Sequence, residues 1–292
     1  MQRRIVVPLD ASDRAERALA WALAAHEPPG ELHLIAVASG DAAAGGEAAR
    51  VASDYLSQVV GRLSPNTTHV ETVVRVGDPG AAVAGYADEV DADLLVVSSH
   101  GQGVLGRLHL DPLTDHLVYH SPCPLLSVRS DGRRPRAALS AGPPPSTLSV
   151  LLDGSDEAER ALEAPALLRL PLSTRIVLLR VLERPPSVER PRDGSHLDPM
   201  LERDRQATEA YLDEVAARVR LWGFTRVLSE VVVGGSVAHT GIERSAAHGC
   251  ALIVMTPHAR TGLPHLAQGS LAATVVRTAE VPVLLYPALE AA

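Results

Sequence analysis

Eleven residues near the start of the chain, Leu9-Asp10-Ala11-Ser12-Asp13-Arg14-Ala15-Glu16-Arg17-Ala18-Leu19, return 143 positions later as Leu152-Asp153-Gly154-Ser155-Asp156-Glu157-Ala158-Glu159-Arg160-Ala161-Leu162, with nine of eleven positions identical. Chance does not produce this, so the chain carries one structural unit twice. The match resumes at a larger offset. Val76-Gly77 corresponds to Val233-Gly234, the segment 93–100 to 251–258, and Pro122-Cys123-Pro124-Leu125-Leu126 to Glu280-Val281-Pro282-Val283-Leu284. The extra residues of the second copy fall in the Pro/Arg-rich stretch 183–199, which reads as a surface loop. A length of 292 residues suits two domains. We expect the first over 1–130 and the second over 148–292, joined by a stiff linker over 131–147 that contains the run Pro143-Pro144-Pro145.

Each copy alternates strand and helix patterns. In the first, strands are expected over 5–9, 32–38, 68–76, 94–98 and 125–128. A first helix with the apolar stripe Ala15, Ala18, Leu19, Ala22 and Leu23 is expected to be capped by Ser12 or Asp13. Further helices are expected over 47–61, 80–90 and 113–120. Alternating βα units build a parallel sheet with helices on both faces. The predicted fold class is therefore α/β, with two tandem Rossmann-like domains, each a five-stranded parallel sheet. The terminal strands, 125–128 and 283–286, are apolar, and unpaired apolar edges aggregate. Pairing them with each other around a pseudo-two-fold axis removes both edges, and further pairing of chains into a homodimer is left open.

Composition narrows function mostly by exclusion. A net charge of −8 disfavours nucleic acid and acidic membranes as partners. No apolar run approaches the roughly 20 residues that span a bilayer. With no secretory signal evident at Met1-Gln2-Arg3-Arg4, the expectation is a cytoplasmic protein. Two cysteines, Cys123 and Cys250, cannot make a disulfide framework and read as small core residues. All 27 basic residues are arginine. That excludes a Walker A loop and lysine Schiff-base chemistry.

Ligands of open α/β sheets bind outside the carboxyl ends of the strands. Two places in each copy lie there. The first strand ends at Asp10 and at Asp153, whose carboxylates either receive donors of a nucleotide or cap the following helix. The loop after the fourth strand reads Ser98-Ser99-His100-Gly101, nine residues, then Asp111-Pro112. Its counterpart reads Thr256-Pro257-His258-Ala259, nine residues, then Gly269-Ser270. A small-residue loop feeding a helix N-terminus presents N–H groups and a positive dipole end to phosphate. Gly269-Ser270 suits that role.

These residues resemble the universal stress protein family, whose nucleotide-binding branch holds ATP in this loop. The Val-x-x-Gly-Asp-Pro turn over 74–79 and the Pro-Cys-Pro strand entry over 122–124 are similar to that family as well. The resemblance covers both halves. It implies that Asp153 meets adenine or ribose, that Val181, ending the second strand of its copy, touches the base, and that Thr256, His258, Ala259, Gly269 and Ser270 surround the phosphates. It places a degenerate second site at Asp10, Val37, Ser98, His100 and Gly101, where Asp111-Pro112 replaces Gly-Ser. The expected ligand is ATP or another adenine nucleotide. Any Mg2+ would arrive with the phosphates rather than in a protein cage.

Other motifs carry less. Gly101-Gln102-Gly103-Val104-Leu105-Gly106 satisfies G-x-G-x-x-G but follows the fourth strand, where the dinucleotide fingerprint does not sit. His116 and His120 share a helix face but lack further ligands at metal spacing, so they read as exposed positions and no metal site is expected. No catalytic base or Gly-x-Ser-x-Gly elbow is visible, which leaves at most slow ATP hydrolysis. Two function classes remain: a nucleotide-binding stress or signalling module, or a ligand-free interaction protein that kept the fold. Gly269-Ser270 favours the first; Thr256, Ala259 and Asp111-Pro112 favour the second.

Overall fold

The structure is a computed structural model, and it describes residues 3–25, 30–38, 45–63, 69–99, 111–129, 144–183, 199–257 and 270–287. In the first copy, strands β1 (Arg4–Pro8), β2 (Glu31–Ala38), β3 (Val70–Val76), β4 (Leu94–Ser99) and β5 (Leu125–Arg129) alternate with helices α1 (Arg17–Ala25), α2 (Gly45–Arg62), α3 (Pro79–Glu89) and α4 (Pro112–His120). The second copy opens with β6 (Thr147–Leu151), then α5 (Asp156–Glu159) and α6 (Ala164–Leu167). It continues through β7 (Arg175–Glu183), α7 (Pro199–Leu221), β8 (Val227–Gly234), α8 (Val237–Ala247), β9 (Leu252–Met255), α9 (Ser270–Thr278) and β10 (Val283–Leu285). The α/β class expected from the repeat is observed.

Among the described residues, ten strands join one sheet in the order β3-β2-β1-β4-β5-β10-β9-β6-β7-β8. Every pairing is parallel except the central one. There β5 meets β10 antiparallel, with Val283 opposite Ser127, Leu284 opposite Leu126 and Leu285 opposite Leu125. Two arginines tie the copies beside that seam. Arg129 donates to the Ala279 carbonyl at 2.7 Å and Arg3 to the Leu167 carbonyl at 2.6 Å, each satisfying a carbonyl at the C-terminal end of a helix.

Period-two alternation along the strands divides the core into two layers. Ile5, Val7, Leu32, Leu34, Leu94 and Val96 pack with Leu19, Leu56 and Val59 of α1 and α2. Val6, Ile35, Leu95 and Val97 face the other way, toward Val83, Tyr86 and Leu117 of α3 and α4. The second copy repeats the division, with Leu212 and Val215 of α7 in the first layer and Val275 and Val276 of α9 in the second. Both cysteines are buried, and burial pushes the Cys123 thiol up to about 12.

Several expected boundaries moved. The first helix begins at Arg17, not at the Ser12/Asp13 cap, because residues 14–19 close tighter i→i+3 hydrogen bonds first. In the second copy the same stretch is split into α5, a short 3₁₀ turn and α6, with Pro165 in the first turn of α6. Strand β3 starts at Val70, after His69 turns the chain with φ 57°. The linker core and the 184–198 insertion lie outside the described residues.

His116 is half-buried rather than exposed. It lies on Gly80, where an added Cβ would stand 2.5 Å from a ring carbon and 2.7 Å from the His116 Cβ. Gly85, on the same helix, faces open space. Gly80→Ala is therefore expected to destabilise by roughly 1–3 kcal/mol through overpacking. Gly85→Ala should stabilise by about 0.5–1 kcal/mol through helix propensity. Chemical denaturation of the two variants checks the pair, and a harmless Gly80→Ala would contradict the packing.

Candidate functional site

The carboxyl ends of β1 and β6 each run into the same turn. Beyond the strand, the exposed Asp10 accepts from the Ser12 N–H at 3.0 Å through Oδ1, and Asp153 accepts from the Ser155 N–H at 3.0 Å. The residue between takes a left-handed conformation, Ala11 with φ 62° and Gly154 with φ 88°. Each serine then accepts from an N–H three residues on, Ala15 or Ala158, both at 3.1 Å. The aspartate closes the turn and the serine supports the start of the helix. This holds both carboxylates, exposed, at the sheet edge.

Val37 and Val181 lie half-buried near the ends of the neighbouring strands. Val181 does not end its strand: β7 continues to Glu183, and Val181 pairs with Val232. Ser98 and Thr256 occupy matched positions at the ends of β4 and β9. The side-chain hydroxyl of each is buried without a hydrogen-bond partner among the described residues. Thr256 is only 2% exposed. A buried hydroxyl is ordinarily hydrogen-bonded.

The two helices that follow differ. Asp111 stands at the N-cap of α4, where its carboxylate accepts from the Thr114 N–H at 2.9 Å and the Thr114 hydroxyl at 2.8 Å. Pro112 fills the first helical position and offers no N–H. The chain thus places its own anion on the N-terminus of α4. Helix α9 begins at Ser270. The aligned pair there is Gly269-Ser270, which brings no carboxylate and keeps both N–H groups. His100, Gly101, His258, Ala259 and Gly269 lie outside the described residues, so five of the twelve candidate positions receive no geometry.

Sequence reasoning missed a side-chain cluster present in both copies. Glu16, only 5% exposed, accepts from Arg62 and from the Tyr55 hydroxyl at 3.1 Å. In the second copy Glu159 receives Arg218 at 2.7 Å beside Tyr211. Burial first, and the adjacent glutamate second, push both tyrosine hydroxyls up. The signal was legible: Tyr55 and Arg62, like Tyr211 and Arg218, are seven apart. The cluster pins α2 or α7 over the turn that carries Asp10 or Asp153. Also unanticipated was Arg180, whose guanidinium stacks over the Tyr211 ring at 5.8 Å.

Among the described residues, no three His, Cys, Asp or Glu side chains converge as metal ligands. No described helix is long and apolar enough to cross a membrane.

Comparison with known proteins bears on the chain as a whole. The pattern of the universal stress protein family matches residues 1–129 and again 146–287. A universal stress protein of Synechocystis sp. is 28% identical over 78 residues, which cover 27% of this chain and 51% of that protein. The match thus spans about half the length of that relative. A universal stress protein from Archaeoglobus fulgidus superposes with a TM-score of 0.71 at 15% identity, covering 97% of this chain and 98% of that one. A protein of unknown function from Pseudomonas aeruginosa gives 0.63 at 16% identity, over 98% and 93% of the two chains. At such identities the likeness to these structures is one of fold.

Proposed function

We propose that this chain, which belongs to the universal stress protein family, is a cytoplasmic stress or signalling module whose second copy binds an adenine nucleotide of the ATP type. In this reading the domains over 1–130 and 148–292 pair within the chain, and only the second keeps a working site. The observation that carries the reading is the contrast at the two helix N-termini. Asp111 puts a carboxylate on the start of α4, whereas the aligned Gly269-Ser270 brings no carboxylate to the start of α9, and a helix N-terminus favours an external anion.

The supporting residues fall into place around that contrast. Asp153, held by its turn, receives the base or ribose. Val181 lies against the base. Thr256 offers an orphan hydroxyl, and His258, Ala259, Gly269 and Ser270 form the phosphate end. In this reading the chain binds the nucleotide and hydrolyses it slowly at most. Magnesium would enter with the phosphates and keep most of its waters.

Isothermal titration of the full chain with ATP, ADP and AMP tests this. One site per chain is expected. Absence of binding at millimolar nucleotide would replace this reading with that of a ligand-free interaction protein.

A further inference from the structure

Because the two copies share one plan, side chains present in only one mark what that copy acquired. At the carboxyl edge the first copy has Ala36 on β2, and the second has Arg180 at the matched position of β7. The partner change is at the turn, where Ala11 of the first copy is Gly154 in the second. The two differences are coupled. A Cβ on Gly154 would stand 2.3 Å from an Arg180 guanidinium nitrogen, so the side chain lies directly on the backbone of the Asp153-Gly154-Ser155 turn. Stacking on Tyr211 holds it from beneath.

Arg180 is half-buried and makes no ion pair or hydrogen bond with a described residue. Its surroundings are acidic: Asp153 precedes the turn, and Asp156 and Glu157 occupy the first turn of α5. Glu157 also stands where the first copy has the exposed Arg14, in the turn before α1. A guanidinium fixed beside a carboxylate at this edge has a known chemical use. At such an edge a carboxylate takes a ribose hydroxyl, or an arginine nearby accommodates a phosphate esterified to that ribose. The planar fork binds phosphate oxygens in pairs.

We infer that Arg180 makes the second-copy site selective for adenine nucleotides that carry a phosphate on the ribose 2′ or 3′ oxygen in addition to the 5′ phosphate. The inference rests on the nucleotide reading proposed above. It adds a second anion subsite, on the Arg180 side of the Asp153 turn, to the one at the start of α9. The first copy, with Ala36, has no such subsite.

The test is a titration of the full chain with AMP, adenosine 2′,5′-bisphosphate and adenosine 3′,5′-bisphosphate. The parent should bind one bisphosphate about 10- to 100-fold more tightly than AMP, as one charge-assisted interaction provides. The two bisphosphates distinguish the 2′ from the 3′ position. In Arg180→Gln the ratio of bisphosphate to AMP affinity should fall toward one. In Arg180→Lys, which keeps the charge and loses the fork, it should be intermediate. Circular dichroism and the melting temperature establish that each variant is folded, and Arg180→Lys serves if the glutamine variant is not. A parent ratio near one, or a ratio that persists in the folded variants, overturns the inference while leaving nucleotide binding in place. No binding of any of the three overturns both.

Discussion

Gly269→Asp is expected to weaken ATP binding by about 100-fold or more without unfolding the chain. The substitution transplants the Asp111 carboxylate to the start of α9, where it would accept from the Ala272 N–H as Asp111 accepts from Thr114. A bound phosphate would then meet a like charge. At ~4 Å that repulsion is about 1 kcal/mol in water and about 4 kcal/mol at an effective dielectric of 20. The carboxylate also consumes an N–H whose hydrogen bond to a charged group is worth roughly 1.5–3 kcal/mol. Together these exceed the ~2.7 kcal/mol that corresponds to two decades of affinity. The fold should survive, because aspartate caps helices as well as or better than glycine. The reverse change, Asp111→Gly with Pro112→Ser, should leave ATP binding intact or add a second site. Titration of both with ATP decides the matter. If Gly269→Asp binds ATP like the parent, the second copy is the wrong half.

The largest effect on stability is expected at the seam between the copies. Leu126 and Leu284 face each other across the antiparallel pair, and each is 0% exposed. Truncating a buried leucine to alanine costs roughly 2–5 kcal/mol, counting both lost transfer energy and the residual cavity. Either Leu126→Ala or Leu284→Ala should therefore lower the melting temperature on the order of 10 °C. Because the side chains share one layer of core, the double variant should depart from additivity by about 0.5–3 kcal/mol. Calorimetry of the two single variants and the double variant provides the cycle. Costs below 1 kcal/mol with strict additivity would mean that the copies do not share this core in solution.

Much of this was legible in the residues. The doubled Leu-Asp-x-Ser segment announced the repeat, and continuous apolar strands such as Ile5-Val6-Val7 announced a sheet covered on both faces. Capping chemistry is local, so Ser12 was placed where its hydrogen bond now lies, although α1 starts later than its cap implied. His116 was misread because exposure is a property of the neighbour: without Gly80 on α3, that helix face would be open. The Glu16–Tyr55–Arg62 cluster was missed because Glu16 lies in the turn before α1, some 40 residues from Tyr55 and Arg62 on α2, and only the seven-residue spacing of the latter pair, repeated in the second copy, hinted at it.

What the sequence by itself determined is what depends on near neighbours: the repeat, the alternation of strands and helices, the turns at Asp10 and Asp153, and the carboxylate cap of α4. Those follow from backbone preferences and from hydrogen bonds spanning two to four residues. The tertiary structure alone decided what depends on distant residues meeting. It set the register of Leu126 against Leu284, the burial of the Ser98 and Thr256 hydroxyls, the seat of His116 on Gly80 and that of Arg180 on Gly154. Such contacts join positions from 26 to 158 residues apart. Their geometry exists only once the ten strands have closed into one sheet, because no local preference along the chain specifies which side chain will arrive on the other side.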